Sequence, residues 1–307
     1  MKNMKKVSVL IPTYHSGETL LRAVQSVLDQ SFENTEAIVV DDNDPADPFR
    51  KSTEDLMARF ADEPRVRYIR HAENRNGAAA RNTAFAHSDG DYITFLDDDD
   101  FYYPRKVEVQ VEYLNAHPEM GGCYCWRHQN GVDVCGEYSG DLTCELLTLE
   151  FTPTTPCLMI RRECFENLKG FDESYRRHQD FEFLLRYFKK YELAPVPEVQ
   201  VEISTNGVNN MPKGQALVDL KERFFAQFQS EISAICLRDK EKGQQLYLRH
   251  FVKTFKDLIR YGYPGLALKV YLKYRKPCGA RFIPYFIKLC VAGRYKAWTG
   301  KTLHVKC

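Results

Sequence analysis

Four consecutive aspartates, Asp97-Asp98-Asp99-Asp100, follow the apolar run Tyr92-Ile93-Thr94-Phe95-Leu96. Carboxylates this close repel one another, and burying them without a partner is costly. A hard divalent cation relieves the repulsion. Mg²⁺ or Mn²⁺ is typically held by one or two carboxylates together with substrate phosphates. The plainer reading is a solvated acidic turn that caps a helix opened by Pro104. Direct succession from a buried strand favours the site. Two more polar groups follow apolar runs: Pro12-Thr13-Tyr14 after Val7–Ile11, and Asp41-Asp42 after Ala37–Val40. Asp180 opens a helical pattern, where an isolated acid is more often a cap than a general base. No GxGxxG follows the first strand and no GxxxxGK[ST] occurs, so dinucleotide and P-loop chemistry lose their main support. A metal-held diphosphate needs no glycine cradle, which suits a nucleotide-diphosphate donor.

Strand and helix patterns alternate through the first hundred residues. Val7–Ile11, Ala37–Val40, Val66–Ile69 and Tyr92–Leu96 read as strands, with helices over Gly17–Gln30, Arg50–Phe60 and Gly77–His87. This predicts an α/β domain with a mostly parallel, Rossmann-like sheet flanked by helices. Ligands of such sheets bind beyond the carboxyl ends of the strands, which gathers the three polar groups at one rim. Residues 104–200 are more mixed: a helix from Pro104, strand and loop over Gly121–Tyr138, a strand at Pro156–Ile160 and a helix over Phe181–Tyr191. From about 212 the chain reads as helical. The expected division is 1–210 for the α/β domain and 211–307 for a helical, basic extension.

The runs Val7-Ser8-Val9-Leu10-Ile11-Pro12-Thr13-Tyr14, Val39-Val40-Asp41-Asp42, Asn74 to Asn82 and Phe95 to Asp100 resemble the inverting family 2 glycosyltransferases of GT-A fold. Gly170-Phe171-Asp172-Glu173 and Gln179-Asp180-Phe181-Glu182 to Arg186 extend the resemblance over roughly residues 5–205. It implies transfer of a sugar from a nucleotide-diphosphate donor, with UDP-sugar favoured, to a saccharide or lipid-linked acceptor. The setting would be surface polysaccharide or glycolipid biosynthesis. By resemblance, Thr13, Tyr14 and Glu18 would line the nucleotide pocket and Asp42 would bond the base. Arg81 would lie near the base or phosphates. Asp97 and Asp99 would form the DxD motif that binds Mn²⁺ or Mg²⁺, with Asp98 among the donor-binding acids. Asp180 would be the general base. Phe181 and Phe183 offer an apolar wall that would raise its pKa. Two positions depart from the family: His15 replaces the usual Asn, and Gln179 replaces the usual Glu before the base.

The net charge of +1 hides an asymmetry. Residues 245–307 carry 14 Lys and Arg and one acid, Asp257, for +13; the preceding 244 carry −12. Basic and aromatic residues interleave there, as in Leu268–Lys276 and Phe282–Leu289, which predicts peripheral contact with an anionic membrane. The plainer readings are a bundle with a solvated basic face or a dimer contact. No nucleic-acid motif is present. The ten cysteines are scattered without zinc spacing, and the apolar stretch after Met1–Lys6 is short for a signal peptide. Both features point to reduced thiols in the cytoplasm. Two other functions compete: a catalytically inactive GT-A module that binds nucleotide-sugar or acts as a scaffold, and a nucleotidyltransferase. Intact Asp97, Asp99 and Asp180 oppose the first; the second wants a Gly-rich basic loop where Pro12-Thr13-Tyr14-His15 stands. Sugar, acceptor and linkage depend on loops 120–155 and 205–215, whose sequences carry no readable code.

Overall fold

A computed structural model describes residues 5–204 and 212–299, with backbone alone at 293 and 295–299. Residues 205–211 of the 205–215 loop and 300–307 of the basic region lie outside the described residues. The chain forms two compact units, Met1–Leu142 with Thr152–Val208 and Thr143–Phe151 with Asn209–Cys307.

The first unit is built on one sheet. Its strands are β1 (Val7–Thr13), β2 (Thr35–Asp41), β3 (Val66–Arg70), β4 (Tyr92–Phe95), β5 (Phe101–Tyr102), β6 (Gly122–Gln129), β7 (Val132–Val134), β8 (Leu158–Arg161) and β9 (Leu193–Ile203). Their order is β3-β2-β1-β4-β8-β6-β9-β5, with β7 paired to β6. The half β3-β2-β1-β4 is parallel, as the alternating pattern predicts. β1, β2 and β4 are buried almost throughout, so they read as unbroken apolar runs rather than alternating ones. Each Val or Ile buried there contributes on the order of 1.5–3 kcal/mol. Helix Thr19–Leu28 buries Leu20, Ala23, Val24 and Val27, one face at helical spacing. Helix Gly77–Ala86 packs small residues, Ala78, Ala79, Ala80 and Ala84, and lies against β1.

Past β4 the sheet turns mixed. β8 runs antiparallel to β4 and β6, β6 pairs parallel with β9, and β9 pairs antiparallel with β5. β5 and β9 escape the sequence pattern. β9 carries Pro195 and Pro197, and the pairing of β6 with β9 shifts register on both sides of Trp126. A bulge displaces the inward–outward alternation that marks a strand in sequence.

The second unit is helical, as read from residue 212. Its helices are Gln215–Gln227, Gln229–Arg238, Lys240–Tyr247, Lys253–Arg260, Pro264–Cys278 and Phe282–Thr299, with a π turn at Leu248–Val252. Its core is aromatic: Phe224, Phe225, Phe228 and Phe251 are buried, and Phe251 stacks on Tyr274 at 3.4 Å between ring centres. Thr143–Phe151 joins this unit because the buried His250 bonds Leu147 O through Nε2 at 2.9 Å. Among the described residues no helix is long and apolar enough to cross a membrane. The nine described cysteines are free thiols.

Candidate active site

Parallel pairing brings the polar strand ends together. Thr13 pairs with Asp41, Asp42 N–H donates to Thr13 O at 2.9 Å, and Leu96 N–H donates to Leu10 O at 3.0 Å. The chain after β4 then turns, with Asp100 N–H bonded to Asp97 O at 3.1 Å. Side chains of Thr13, Tyr14 and the aspartate run therefore emerge beside one another at one rim.

The turn gives its four aspartates different surroundings. Asp97 pairs with Arg81 at 2.5 Å and stays partly exposed. Asp98 accepts from Tyr14 N–H at 3.2 Å. Burial pushes the Asp98 carboxyl up to about 6, aided by Asp99 and Asp97 and opposed by the Thr13 hydroxyl. Asp99 is held through its backbone, where Arg22 donates to its carbonyl at 2.8 Å. Burial and repulsion from Asp97 push its carboxyl up. Asp100 is buried and accepts from Ser204 N–H at 2.7 Å, so it fastens the end of β9. Burial and the neighbouring Asp97 push it up to about 9.

Among the described residues no three acid, histidine or cysteine side chains gather into a metal cage. Two carboxylates suffice for Mg²⁺ or Mn²⁺ when a substrate's phosphates complete the set. Asp97 and Asp99 fit that requirement. Both are hard oxygen donors, and the repulsion that Asp97 exerts on the half-buried Asp99 is what a cation would relieve.

Arg81 connects this rim to Asp180. It is buried on helix Gly77–Ala86 and donates from one nitrogen to Asp97 and from the other to Gln179 Oε1 at 3.0 Å. Gln179 also donates to Tyr175 O at 2.9 Å and begins helix Gln179–Tyr187, whose first turn contains Asp180. Burial pushes the Asp180 carboxyl up; the Arg81 charge draws it down and the Asp97 charge raises it further. Asp180 is thus both a first-turn helix acid and a member of the cluster. Phe183 is buried against Phe165, Phe171 and Tyr187, so it walls the core beneath the helix rather than the cleft.

A hydrogen-bonded frame fixes Arg81 and Gln179. The buried Asp42 carboxylate takes His71 Nδ1 at 2.7 Å, Arg75 N–H at 2.9 Å, Asn76 N–H at 2.8 Å and the Asn74 amide at 3.0 Å. Four partners fill its acceptor sites, so a base N–H aimed at Asp42 must share or displace one. Asn76, at φ 88°, caps helix Gly77–Ala86 through Ala78 N–H. On the same helix Asn82 clasps Phe171, accepting its N–H and donating to its carbonyl, each at 2.9 Å. Gly170 has φ +67°, and a Cβ there would collide with Asn82 Oδ1. Arg75 and Asn76 both reach Glu173, at 2.9 and 2.8 Å.

Tyr14 is 44% exposed and stacks on His15 at 3.9 Å, and His15 stacks on Phe49 at 4.6 Å. His15 takes a left-handed φ of 54°; its N–H bonds Asn43 Oδ1 at 2.9 Å and its Nε2 lies 2.5 Å from Asp47. His15 is therefore the middle of an aromatic column. Glu18 is exposed at the start of helix Thr19–Leu28, with no side-chain capping bond. Tyr124 and Trp126 bond the backbone of the following loop, both reaching Gly136 O. Sequence reasoning missed His71, Arg50 and the bridging role of Gln179. Buried Arg50 bonds Asn43 O and His71 O, but nothing marks it in the helical run Pro48–Met57.

The family model described as glycosyl transferase family 2 matches residues 8–168. EpsE of Bacillus subtilis, assigned to the glycosyltransferases, is 30% identical over 62% of this chain and 69% of its own. WcaA of Escherichia coli, assigned to the glycosyltransferases of colanic acid biosynthesis, is 29% identical over 62% of this chain and 69% of its own. The crystal structure of Staphylococcus aureus TarS 1–349 in complex with UDP-GlcNAc shares the fold, with a TM-score of 0.58 at 15% identity over 98% of this chain and 94% of that one. With the sheet, the rim of aspartates and the family match over more than half its length, the chain belongs to glycosyl transferase family 2.

Proposed function

We propose that the protein transfers a sugar, with inversion, from a UDP-sugar to a saccharide or lipid-linked acceptor in surface polysaccharide or glycolipid assembly. The bonds from Arg81 to both Asp97 and Gln179 carry this reading, because they tie the donor-side acids to the helix that presents Asp180. The similarity to EpsE and WcaA supports a polysaccharide setting, and the fold shared with TarS bound to UDP-GlcNAc supports a UDP-sugar donor.

In this mechanism Asp180 accepts the proton of the acceptor hydroxyl as its oxygen attacks the anomeric carbon. The bond from that carbon to the diphosphate oxygen breaks, and UDP leaves with the electron pair. Attack from the opposite face inverts the centre. Burial raises the Asp180 pKa, which makes its carboxylate a stronger base toward the acceptor hydroxyl. Tyr14 offers an exposed ring for the nucleotide, with Thr13 and Asp98 beside it; Glu18 and Asp42 complete the donor residues in this reading. Asp97 and Asp99 would hold Mn²⁺ or Mg²⁺, which when bound supplies positive charge at the diphosphate.

Isothermal titration and thermal shift across UDP- and GDP-sugars, each with Mn²⁺, test the reading. A UDP-sugar should bind and stabilise the protein, and Asp99→Ala should lose at least about tenfold in donor affinity, or about 1.4 kcal/mol. Equal binding by the variant, or selection of a GDP-sugar, would contradict it.

A further inference from the structure

Two helices of the second unit present aliphatic stripes to solvent. On Pro264–Cys278, Leu268 and Leu272 are 56% and 52% exposed, one turn apart, while Ala267, Val270, Tyr274 and Cys278 face the core. On Phe282–Thr299, Ile283, Ile287 and Val291 are 42%, 55% and 55% exposed at successive turns, while Phe282 and Tyr285 are buried. Spacing of four residues puts each set on one helix face. Single exposed aliphatics are ordinary; rows of them flanked by charge mark an interaction surface.

The charge identifies the partner. Lys269, Lys273, Arg275, Lys276, Arg281, Lys288 and Arg294 are exposed on or between these helices, and no Asp or Glu follows Asp257 in the chain. Lys273 pairs with Glu222 and Arg281 with Glu241; the other five have no ion pair among the described residues. A second copy would set one uncompensated basic face against another, since a twofold contact repeats the same patch. An anionic lipid surface takes both components: aliphatic side chains enter the acyl boundary while Lys and Arg extend to the headgroups. Neither helix is long and apolar enough to span a bilayer, so contact with one would run along its surface.

We infer that the exposed faces of Pro264–Cys278 and Phe282–Thr299 dock the protein on an anionic phospholipid bilayer, with Leu268, Leu272, Ile283, Ile287 and Val291 inserted. The test is co-sedimentation of the full chain with vesicles of phosphatidylcholine alone or mixed with phosphatidylglycerol. Binding should require phosphatidylglycerol and fall with salt. Leu272→Asp with Ile287→Asp should reduce partitioning by about tenfold or more. Lys269→Gln with Lys276→Gln, a milder pair, should reduce it about fivefold or more. Circular dichroism and melting of both variants should match the parent. Equal binding to both vesicle types, no binding, variants that bind like the parent, or concentration-dependent self-association abolished by the same substitutions would each overturn the inference. Donor stabilisation by a UDP-sugar, read on the same samples, reports on the transferase reading separately.

Discussion

Arg81 and its neighbours show how residue type sets chemistry. A guanidinium can serve two acceptors in fixed directions, whereas an ammonium is a point charge on a flexible stem. Arg81→Lys should therefore lower kcat/KM by about tenfold or more in steady-state assays, because Asp97 and Gln179 are no longer held by one rigid group. Asp180 sets a second expectation. As the proposed base it would work ionised, and burial holds its pKa above the ordinary aspartate range near 4. kcat/KM should fall as pH drops through that raised value, with Asp97 shifting the limb upward and Arg81 shifting it downward; a flat profile down to pH 4 would deny Asp180 the role. His15 makes the third. A stacked ring is worth about 0.5–1.5 kcal/mol, so His15→Asn should raise the donor KM two- to tenfold by freeing Tyr14, with little change in kcat.

At the scale of elements, the parallel half of the sheet was legible because β1, β2 and β4 are continuous apolar runs ending in polar residues. The rim aspartates were legible for the same reason. β5 and β9 were not, since two residues make no pattern and the register shifts opposite Trp126 insert extra residues into β9. Asp42 is a base contact by resemblance alone; its four protein partners lie 29–34 residues away, and pairings over such distances leave no local signal. Gly170 is a stiff point of the frame, where the positive φ and Asn82 both exclude a side chain. Gly170→Ala should cost about 1–3 kcal/mol, seen as a melting temperature lower by roughly 2–4 °C for each kcal/mol.

Over the whole molecule, the first unit divides its labour between sheet halves. Parallel strands bring Thr13, Tyr14 and Asp97–Asp99 to one rim, and the chain beyond the antiparallel strands returns Asp180 to the same place through Gln179 and Arg81. The measurement that tests this most directly compares donor affinity and single-turnover transfer in Asp180→Asn, a near-isosteric change. Donor affinity should stay within about twofold of the parent while transfer falls by 10²-fold or more, the range expected for loss of a general base. Transfer at the parental rate would contradict the account.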